Sequence, residues 1–193
     1  MTTPNSAATT EISSHRRGTF LSQSVTERML GFWWTLVRMF LFRWSPPPLN
    51  SWRIALLRLF GAKVHSSSFI SPSVRIDYPW NLVVDRDVTM AHCIVLNCMG
   101  TIEIGAGTRI SQYAHLCAGT HDYERRDMKI IRRPIKIGKD VWIAADSFVG
   151  PGVTMGDGSL LAARSSAFGD LPAGQVCIGE PARPYRPRSE IER

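Results

Sequence analysis

Aliphatic residues recur in this chain at steps of six: Val64, Ile70 and Ile76; Val84, Met90 and Leu96; Ile104, Ile110 and Leu116; Ile137, Ile143 and Val149. Met155 and Leu161 extend the series, and the position after each is usually small or acidic, as at Asp85, Ala91, Gly105, Ser111, Gly138, Ala144, Gly150 and Gly156. A period of six, taken three to a turn, predicts a solenoid of short flat strands in three parallel sheets. One aliphatic side chain per strand points into the bore, and small residues fill the corners. An amphipathic helix would space its apolar residues near 3.6 and a half-buried strand would alternate in twos, so neither accounts for the run. About five coils are predicted, stacked to a height on the order of 20–25 Å, with both ends needing cover. The repeat is expected to fade after Leu161.

The breaks in the register are as informative as the repeat. Three strands should consume eighteen residues, yet Val84 follows Val64 by twenty, Ile104 follows Val84 by twenty, and Ile137 follows Ile104 by thirty-three, whereas Met155 follows Ile137 by a regular eighteen. All the extra residues enter after the third strand, so one edge of the prism carries every insertion. Insertions stacked on one edge of a solenoid build its binding face. The largest, residues 117–134, contains Thr120, His121, Asp122 and Tyr123.

Outside the repeat the pattern changes. Residues 1–24 are rich in Ser and Thr and read as a disordered arm. Residues 25–61 read as a helical segment. Within it MLGFWWTLVRMFLFRW (29–44) is apolar on nearly all sides but is interrupted by Arg38 and is shorter than a comfortable membrane span. Two readings stay open: a helix buried against the solenoid or a neighbouring subunit, or one lying in a bilayer interface with tryptophans and arginines at headgroup level. Pro46, Pro47 and Pro48 end that helix, Asn50 or Ser51 is placed to cap the next, and Trp52, Leu56, Leu59 and Phe60 recur at helical spacing until Gly61. This pair would cover the open N-terminal end of the stack. The solenoid domain spans 62–187, and 188–193 form a tail.

Composition narrows the class. The 44% apolar content of 193 residues suits one folded domain plus an appendage. The net charge of +7, with 23 Lys and Arg, favours anionic partners. The cations lie in three places, the N-terminal segment (Arg28, Arg38, Arg43, Arg53, Arg58), the insertion (Arg125, Arg126, Lys129, Arg132, Arg133) and the tail (Arg183, Arg186, Arg188), and no nucleic-acid motif accompanies them. Cys93, Cys98, Cys117 and Cys177 show no paired zinc-ligand spacing and suit small buried positions, which points to a reducing, cytoplasmic setting.

Of the five histidines, His15 lies in the arm, His65 at a corner, and His92 and His115 inside regular coils. His121 stands apart, on the edge that takes all the insertions. Histidine as a residue type accepts a proton near neutrality, and an adjacent carboxylate or carbonyl fixes its tautomer, so His121 is the candidate general base.

These features carry a resemblance. The six-residue register, LCAGTHDY (116–123), IGKDVWIA (137–144) and GEPAR (179–183) resemble the hexapeptide-repeat acyltransferases over residues 62–187. FRWSPPPLNSWRIALLRLFGAKV (42–64) and YPWNL (78–82) resemble, within that superfamily, the colanic acid biosynthesis acetyltransferases of bacterial exopolysaccharide clusters. The resemblance implies a left-handed parallel β-helix, a homotrimer with active sites between subunits, and transfer of an acetyl group from acetyl-CoA to the hydroxyl of a sugar or oligosaccharide by direct attack on the thioester. It assigns His121 as base and Trp142, Ala145, Ala163, Arg183 and Arg186 to coenzyme A, with no metal; Asn97, at the insertion edge one coil below, and Asp122 and Tyr123, beside the base, are read as acceptor contacts, and Arg164 as a further coenzyme A contact. Phe168 and Gly169 depart from the family, whose members commonly have Thr-Lys there. Localisation is expected to be cytoplasmic, with peripheral contact at the inner membrane face through the N-terminal segment. Three rivals are a γ-class carbonic-anhydrase-like zinc enzyme using His92, His115 and His121, a Cys117/His121 nucleophilic pair, and a non-catalytic scaffold.

Overall fold

The computed structural model describes residues 24–189. The arm assigned to 1–24 therefore lies outside the described residues, except for Ser24, which caps a helix.

Helix α1 (Val25–Val37) starts ahead of the greasy run because Ser24 and Glu27 form a capping box: the Glu27 amide donates to Ser24 Oγ at 3.1 Å, and the Ser24 amide to Glu27 Oε2 at 3.3 Å. It continues into a π-helical turn, Arg38–Phe42. Of the apolar residues in these two elements, only Trp34 and Phe42 are buried, so burial against the chain's own solenoid is not the fate of this segment. Trp34 fixes the helix to the first coil by donating Nε1–H to the Ile76 carbonyl at 2.7 Å. No described helix is long and apolar enough to cross a membrane.

Helix α2 (Asn50–Leu59) covers the N-terminal end of the stack as expected, but not with the expected face. Trp52 and Leu59 are exposed, while Arg53, Ile54, Leu56 and Leu57 are buried. Asn50 does not cap: its amide donates to Ser68 O at 2.8 Å and accepts from the Ile70 amide at 3.0 Å, clamping the helix to the first coil. Arg53, counted above with the basic surface, is 0% exposed. Its guanidinium donates to the carbonyls of Ile70 (2.7 Å), Pro46 (2.9 Å) and Pro47 (2.9 Å) and to Ser45 Oγ (3.1 Å), and so ties helix, proline loop and first coil together.

The coils follow in order. The first comprises β1 (Lys63–Val64), β2 (Phe69–Ile70) and β3 (Arg75–Asp77), and the second β4 (Leu82–Val84), β5 (Thr89–Met90) and β6 (Val95–Asn97). The third comprises β7 (Ile102–Ile104), β8 (Arg109–Ile110) and β9 (His115–Cys117), and is followed by a hairpin of β10 (Gly119–His121) and β11 (Ile130–Arg132). The fourth is β12 (Ile135–Ile137), β13 (Trp142–Ile143) and β14 (Phe148–Val149), and the fifth β15 (Thr154–Met155), β16 (Leu160–Leu161) and β17 (Ser166–Ala167). Corresponding strands pair in parallel, giving three faces. Every residue of the six-step series is buried to 4% exposure or less.

The coils do not stop at Leu161. Ala167 keeps the step of six, Leu171 follows after four residues and Cys177 after six more, all buried, and β18 (Gln175–Gly179) adds to the second face beside β16, so the solenoid has five full coils and most of a sixth. Finally β19 (Ala182–Pro187) folds back antiparallel on β18 and covers that edge. A second inward ladder sits two residues before each aliphatic position, at Ser68, Val74, Val88, Ile94, Thr108, Ala114, Val141 and Ser147. Ser68 Oγ donates to Asp85 O at 2.6 Å and Thr108 Oγ1 to Gly138 O at 2.9 Å, whereas Ser159 Oγ, two residues before Leu161, is buried with no hydrogen-bond partner among the described residues. The small residues after the aliphatic positions have a steric cause. A Cβ on Gly105 would lie 2.6 Å from Gly138 O of the next coil, so the coils close together only over glycine there.

Candidate active site

The last residues of the third-face strands, Asp77, Asn97 and Cys117, stack in register along the insertion edge. The first coil leaves this edge through a short 3-10 turn (Pro79–Asn81), the second through a short bend, and the third through the β10–β11 hairpin. The hairpin rejoins the stack where it left: the Arg133 amide donates to Ala118 O at 3.0 Å and the Ile135 amide to Thr101 O at 2.9 Å, so β7 and β12 pair across the gap without a register slip. Close packing at its root excludes side chains, since a Cβ on Gly119 would lie 2.8 Å from the Met99 side chain.

His121 ends β10, opposite Ile130, and is half-buried. Its Nδ1 lies 2.7 Å from the Met128 carbonyl oxygen. A carbonyl oxygen only accepts, so Nδ1 carries the proton and the neutral ring keeps its free lone pair on Nε2. The group that fixes the tautomer is therefore this carbonyl and not the neighbouring carboxylate. Asp122 instead accepts from the Glu124 amide through Oδ1 at 3.3 Å, an Asx turn of its own loop, and Tyr123 is 82% exposed. Cys117 Sγ–H donates to Gly119 O at 3.2 Å and makes no hydrogen bond to His121, which leaves the thiol without an activating base. Burial pushes the Cys98 and Cys177 thiols up, as suits inert packing groups, whereas Cys93 is exposed, contrary to the expectation of a buried position.

The hairpin is tied to the N-terminal helix. Arg132 donates in bidentate fashion to Glu27, Nη1 to Oε1 at 2.9 Å and Nη2 to Oε2 at 3.0 Å. Hydrogen bonding from Arg132 holds the Glu27 carboxyl below the usual carboxylate range, with burial opposing. A depressed carboxyl contributes stability that is present above its unfolded value of about 4.3 and lost as pH falls through the folded one, so this tie loosens in acid. Being partly exposed, it contributes at most about 1 kcal/mol. Accordingly, Glu27→Gln is expected to raise amide exchange across Ile130–Arg132 by up to about fivefold at neutral pH and to leave little further change on acidification, as read by exchange mass spectrometry.

Between α1 and the third face lies a pocket of about 620 Å³, lined by Glu27, Arg28, Phe32, Trp34 and Thr35 from the helix and by Arg75, Asp77, Tyr78 and Asn97 from the coils. Asn97 Oδ1 is shut from solvent and has no hydrogen-bond partner among the described residues. An unsatisfied buried acceptor costs about 1–3 kcal/mol. Beside it, Arg75 and Asp77 form an ion pair at 3.0 Å. Higher on the same face His115 is half-buried; burial, aided by Arg75 and opposed by Asp77, holds its pKa down. Its ring meets Phe148 edge-on at 5.5 Å, and Phe148 meets Phe168 at 5.6 Å, so Phe168 completes an aromatic column. His92 stacks edge-on against Tyr113 at 6.0 Å. Among the described residues no group of three or more His, Cys, Asp or Glu side chains is arranged to hold a metal ion.

The residues assigned to coenzyme A fall elsewhere, on and beside the second face. Trp142 is 42% exposed, donates Nε1–H to Ser111 Oγ at 3.0 Å, and lines a groove of about 610 Å³ with Thr89, Arg109, Gln112, Asp140 and Arg188. Ala145 and Ala163 occupy the next corner in successive coils, linked by the Arg164 amide donating to Ala145 O at 3.0 Å. The Arg164 side chain makes a loose 3.4 Å pair with Asp146. Arg183 and Arg186 lie on β19, exposed, and do not line the groove of Trp142. Arg188, left above in the tail, does line it, its Nη1 donating to Asp140 O at 2.9 Å and to Gly158 O and Ser159 O at 3.2 Å. Register alone points to Arg109, the outward neighbour of Ile110 that pairs with Trp142. Thus His121 and Asn97 stand on one edge of the prism and Trp142, Ala145 and Ala163 on another, with the third face between them.

No protein-family model matches the chain. It is 47% identical over 160 residues, 83% of this chain and 87% of the relative, to the Escherichia coli protein named "Putative colanic acid biosynthesis acetyltransferase". It is 28% identical over 151 residues, 77% of this chain and 74% of the relative, to the galactoside O-acetyltransferase of the same organism. Among solved structures it is similar to a hexapeptide-repeat acetyltransferase of Vibrio cholerae complexed with acetyl coenzyme A (TM-score 0.77, 26% identity, 86% of this chain and 91% of that one). A galactoside acetyltransferase in complex with coenzyme A gives a TM-score of 0.78 at 25% identity, over 86% of this chain and 84% of that one. Such neighbours are left-handed β-helices, and the solenoid described above has the same hand. With a six-residue register of buried residues through Val64–Leu161 and 47% identity over 160 residues to a relative covered to 87%, the chain belongs to the hexapeptide-repeat acetyltransferases, alongside the colanic acid biosynthesis acetyltransferases.

Proposed function

We propose that the chain transfers an acetyl group from acetyl-CoA to a sugar hydroxyl in exopolysaccharide or related glycan synthesis, with His121 as general base. The observation that carries this reading is the hydrogen bond from His121 Nδ1 to Met128 O, which leaves Nε2 free to take a proton. The acceptor hydroxyl gives its proton to Nε2 as its oxygen attacks the thioester carbonyl. The tetrahedral intermediate then collapses, the C–S bond breaks, and the leaving thiolate takes the proton back from the imidazolium. Residues 117–134 serve as the catalytic insertion of the 62–187 domain.

Asn97, which lines the pocket between α1 and the third face, contributes to holding the acceptor there. Asp122 and Tyr123, near the hairpin tip, reach the acceptor from above. Trp142 packs the pantetheine arm, Ala145 and Ala163 line it with backbone, and Arg164, Arg183 and Arg186, together with Arg109 and Arg188, set positive charge near the nucleotide phosphates. Base and donor residues occupy different edges of one prism. A homotrimer supports one complete site at each junction, the base edge of one subunit facing the donor edge of the next.

The test is thiol release from acetyl-CoA against a panel of nucleotide sugars and oligosaccharides, with mass spectrometry of the product. Acetylation of no member, by a trimeric and folded protein, would sink the assigned acceptor class. Trp142→Ala is expected to raise KM for acetyl-CoA by about tenfold, with kcat changed far less, because a pantetheine-packing side chain acts on ground and transition states alike.

A further inference from the structure

We propose that the N-terminal segment docks the protein on the surface of an anionic bilayer, with α1 and the π-helical turn lying flat in the headgroup layer. On a helical wheel the contact stripe of α1 runs through Glu27, Gly31 and Trp34, and the opposite side carries Val25, Met29 and Trp33. These three are 67%, 57% and 55% exposed, and beyond them Phe40, Leu41 and Trp44 are 65%, 46% and 76% exposed. A helix that buries only Trp34 of its apolar residues and leaves this much apolar surface in water presents a face suited to an interfacial environment.

Charge complementarity selects the occupant. The same segment carries Arg28 and Arg43, both exposed, and the half-buried Arg38, and the one acid from Ser24 to Trp44, Glu27, is neutralised by Arg132. A two-fold contact with a second copy would set these arginines against one another, whereas an anionic lipid surface meets all three. The inner side of the same helix walls the pocket holding Asn97. If that pocket is the acceptor site, a consequence that rests on the reading above, acceptors are presented to it at the bilayer surface. Docking itself stands apart from the chemistry.

The experiment is flotation of the purified full chain with vesicles of phosphatidylcholine alone or mixed with phosphatidylglycerol. The protein is expected to float with the anionic vesicles and to lose that association at high salt. Neutralising Arg28, Arg38 and Arg43 to Gln should weaken binding by about fivefold for each charge removed. Equal charge removal from exposed positions elsewhere, Lys63, Lys136 and Lys139 to Gln, should leave it within about twofold. Phe40→Glu with Trp44→Glu should abolish flotation while circular dichroism and oligomeric mass stay unchanged. Absence of flotation with anionic vesicles, an equal loss in the lysine variant, or a fall in oligomeric mass in the Glu variant would each overturn the proposal, the last by making this face a subunit contact. None of these readouts uses acetyl transfer, so failure of docking and failure of the enzymatic reading are separable.

Discussion

His121→Ala is expected to lower kcat for acetyl transfer by about 10²–10⁴-fold, equivalent to about 3–5 kcal/mol of transition-state stabilisation, while leaving KM for acetyl-CoA near that of the parent. Acetyl-CoA already contains an activated carbonyl, so the protein's task is to generate an oxygen nucleophile from a hydroxyl and to hold it in place. Removing the proposed base removes that step without touching the groove of Trp142, which lies across the third face. His121→Asn separates base from prop. Its side-chain NH₂ takes the place of Nδ1–H and can still donate to Met128 O, holding the hairpin, yet it has no nitrogen lone pair with which to accept a proton. Both variants should be equally slow in a thiol-release assay. Turnover by the Asn variant close to the parent's would show that the ring merely braces the loop.

Arg53→Met is expected to destabilise the fold by about 3–5 kcal/mol, measured as a loss in the free energy of urea unfolding. The substitution preserves most of the stem's volume. What it removes is a buried guanidinium whose four hydrogen bonds all go to neutral oxygens, those of Ile70, Pro46, Pro47 and Ser45. The Ile70 carbonyl is then left buried without this donor, at a cost of about 1–3 kcal/mol, and the loop loses its ties through Pro46 O, Pro47 O and Ser45 Oγ, partly offset because the cation no longer has to be desolvated. Desolvation already shows in the direction of the Arg53 pKa, which is held below the ordinary arginine value. A change under about 1 kcal/mol would mean that the proline loop and first coil are held by apolar packing alone.

The case of Arg53 also shows where sequence reading works and where it misleads. The bore of the solenoid was legible because one aliphatic residue per strand is required at a fixed phase, and each of the positions from Val64 to Leu161 lies inside. The sixth coil was not, because Ala167 is too small to stand out and Leu171 breaks the step of six. Nor was the second inward ladder, since Ser and Thr read as polar even where their hydroxyls are satisfied by backbone carbonyls. In α2 the apolar spacing through Trp52 and Leu59 chose the wrong side, since a charged residue took the central buried position. At the candidate site, His121 was singled out by the edge it occupies, which is a property of register. Its fixing group, Met128 O, and the tie from Arg132 to Glu27, 105 residues away, are tertiary facts that leave no local mark. Arg183 and Arg186 were chosen by resemblance; Arg188, which lines the groove of Trp142, carried no such mark and was left in the tail.

One detail of the hairpin bears on how such proteins diversify. Because Ile135 takes up its place beside Ile102 as though nothing intervened, the pairing of β7 with β12 does not depend on the length of the excursion between Ala118 and Arg133. The excursion can lengthen, shorten or be exchanged between relatives without re-registering a single rung. On the function proposed above, acceptor contact and rung register lie in separate stretches of one polypeptide, and grafting a foreign loop at these two anchor points is expected to alter acceptor choice while leaving the coil stack intact.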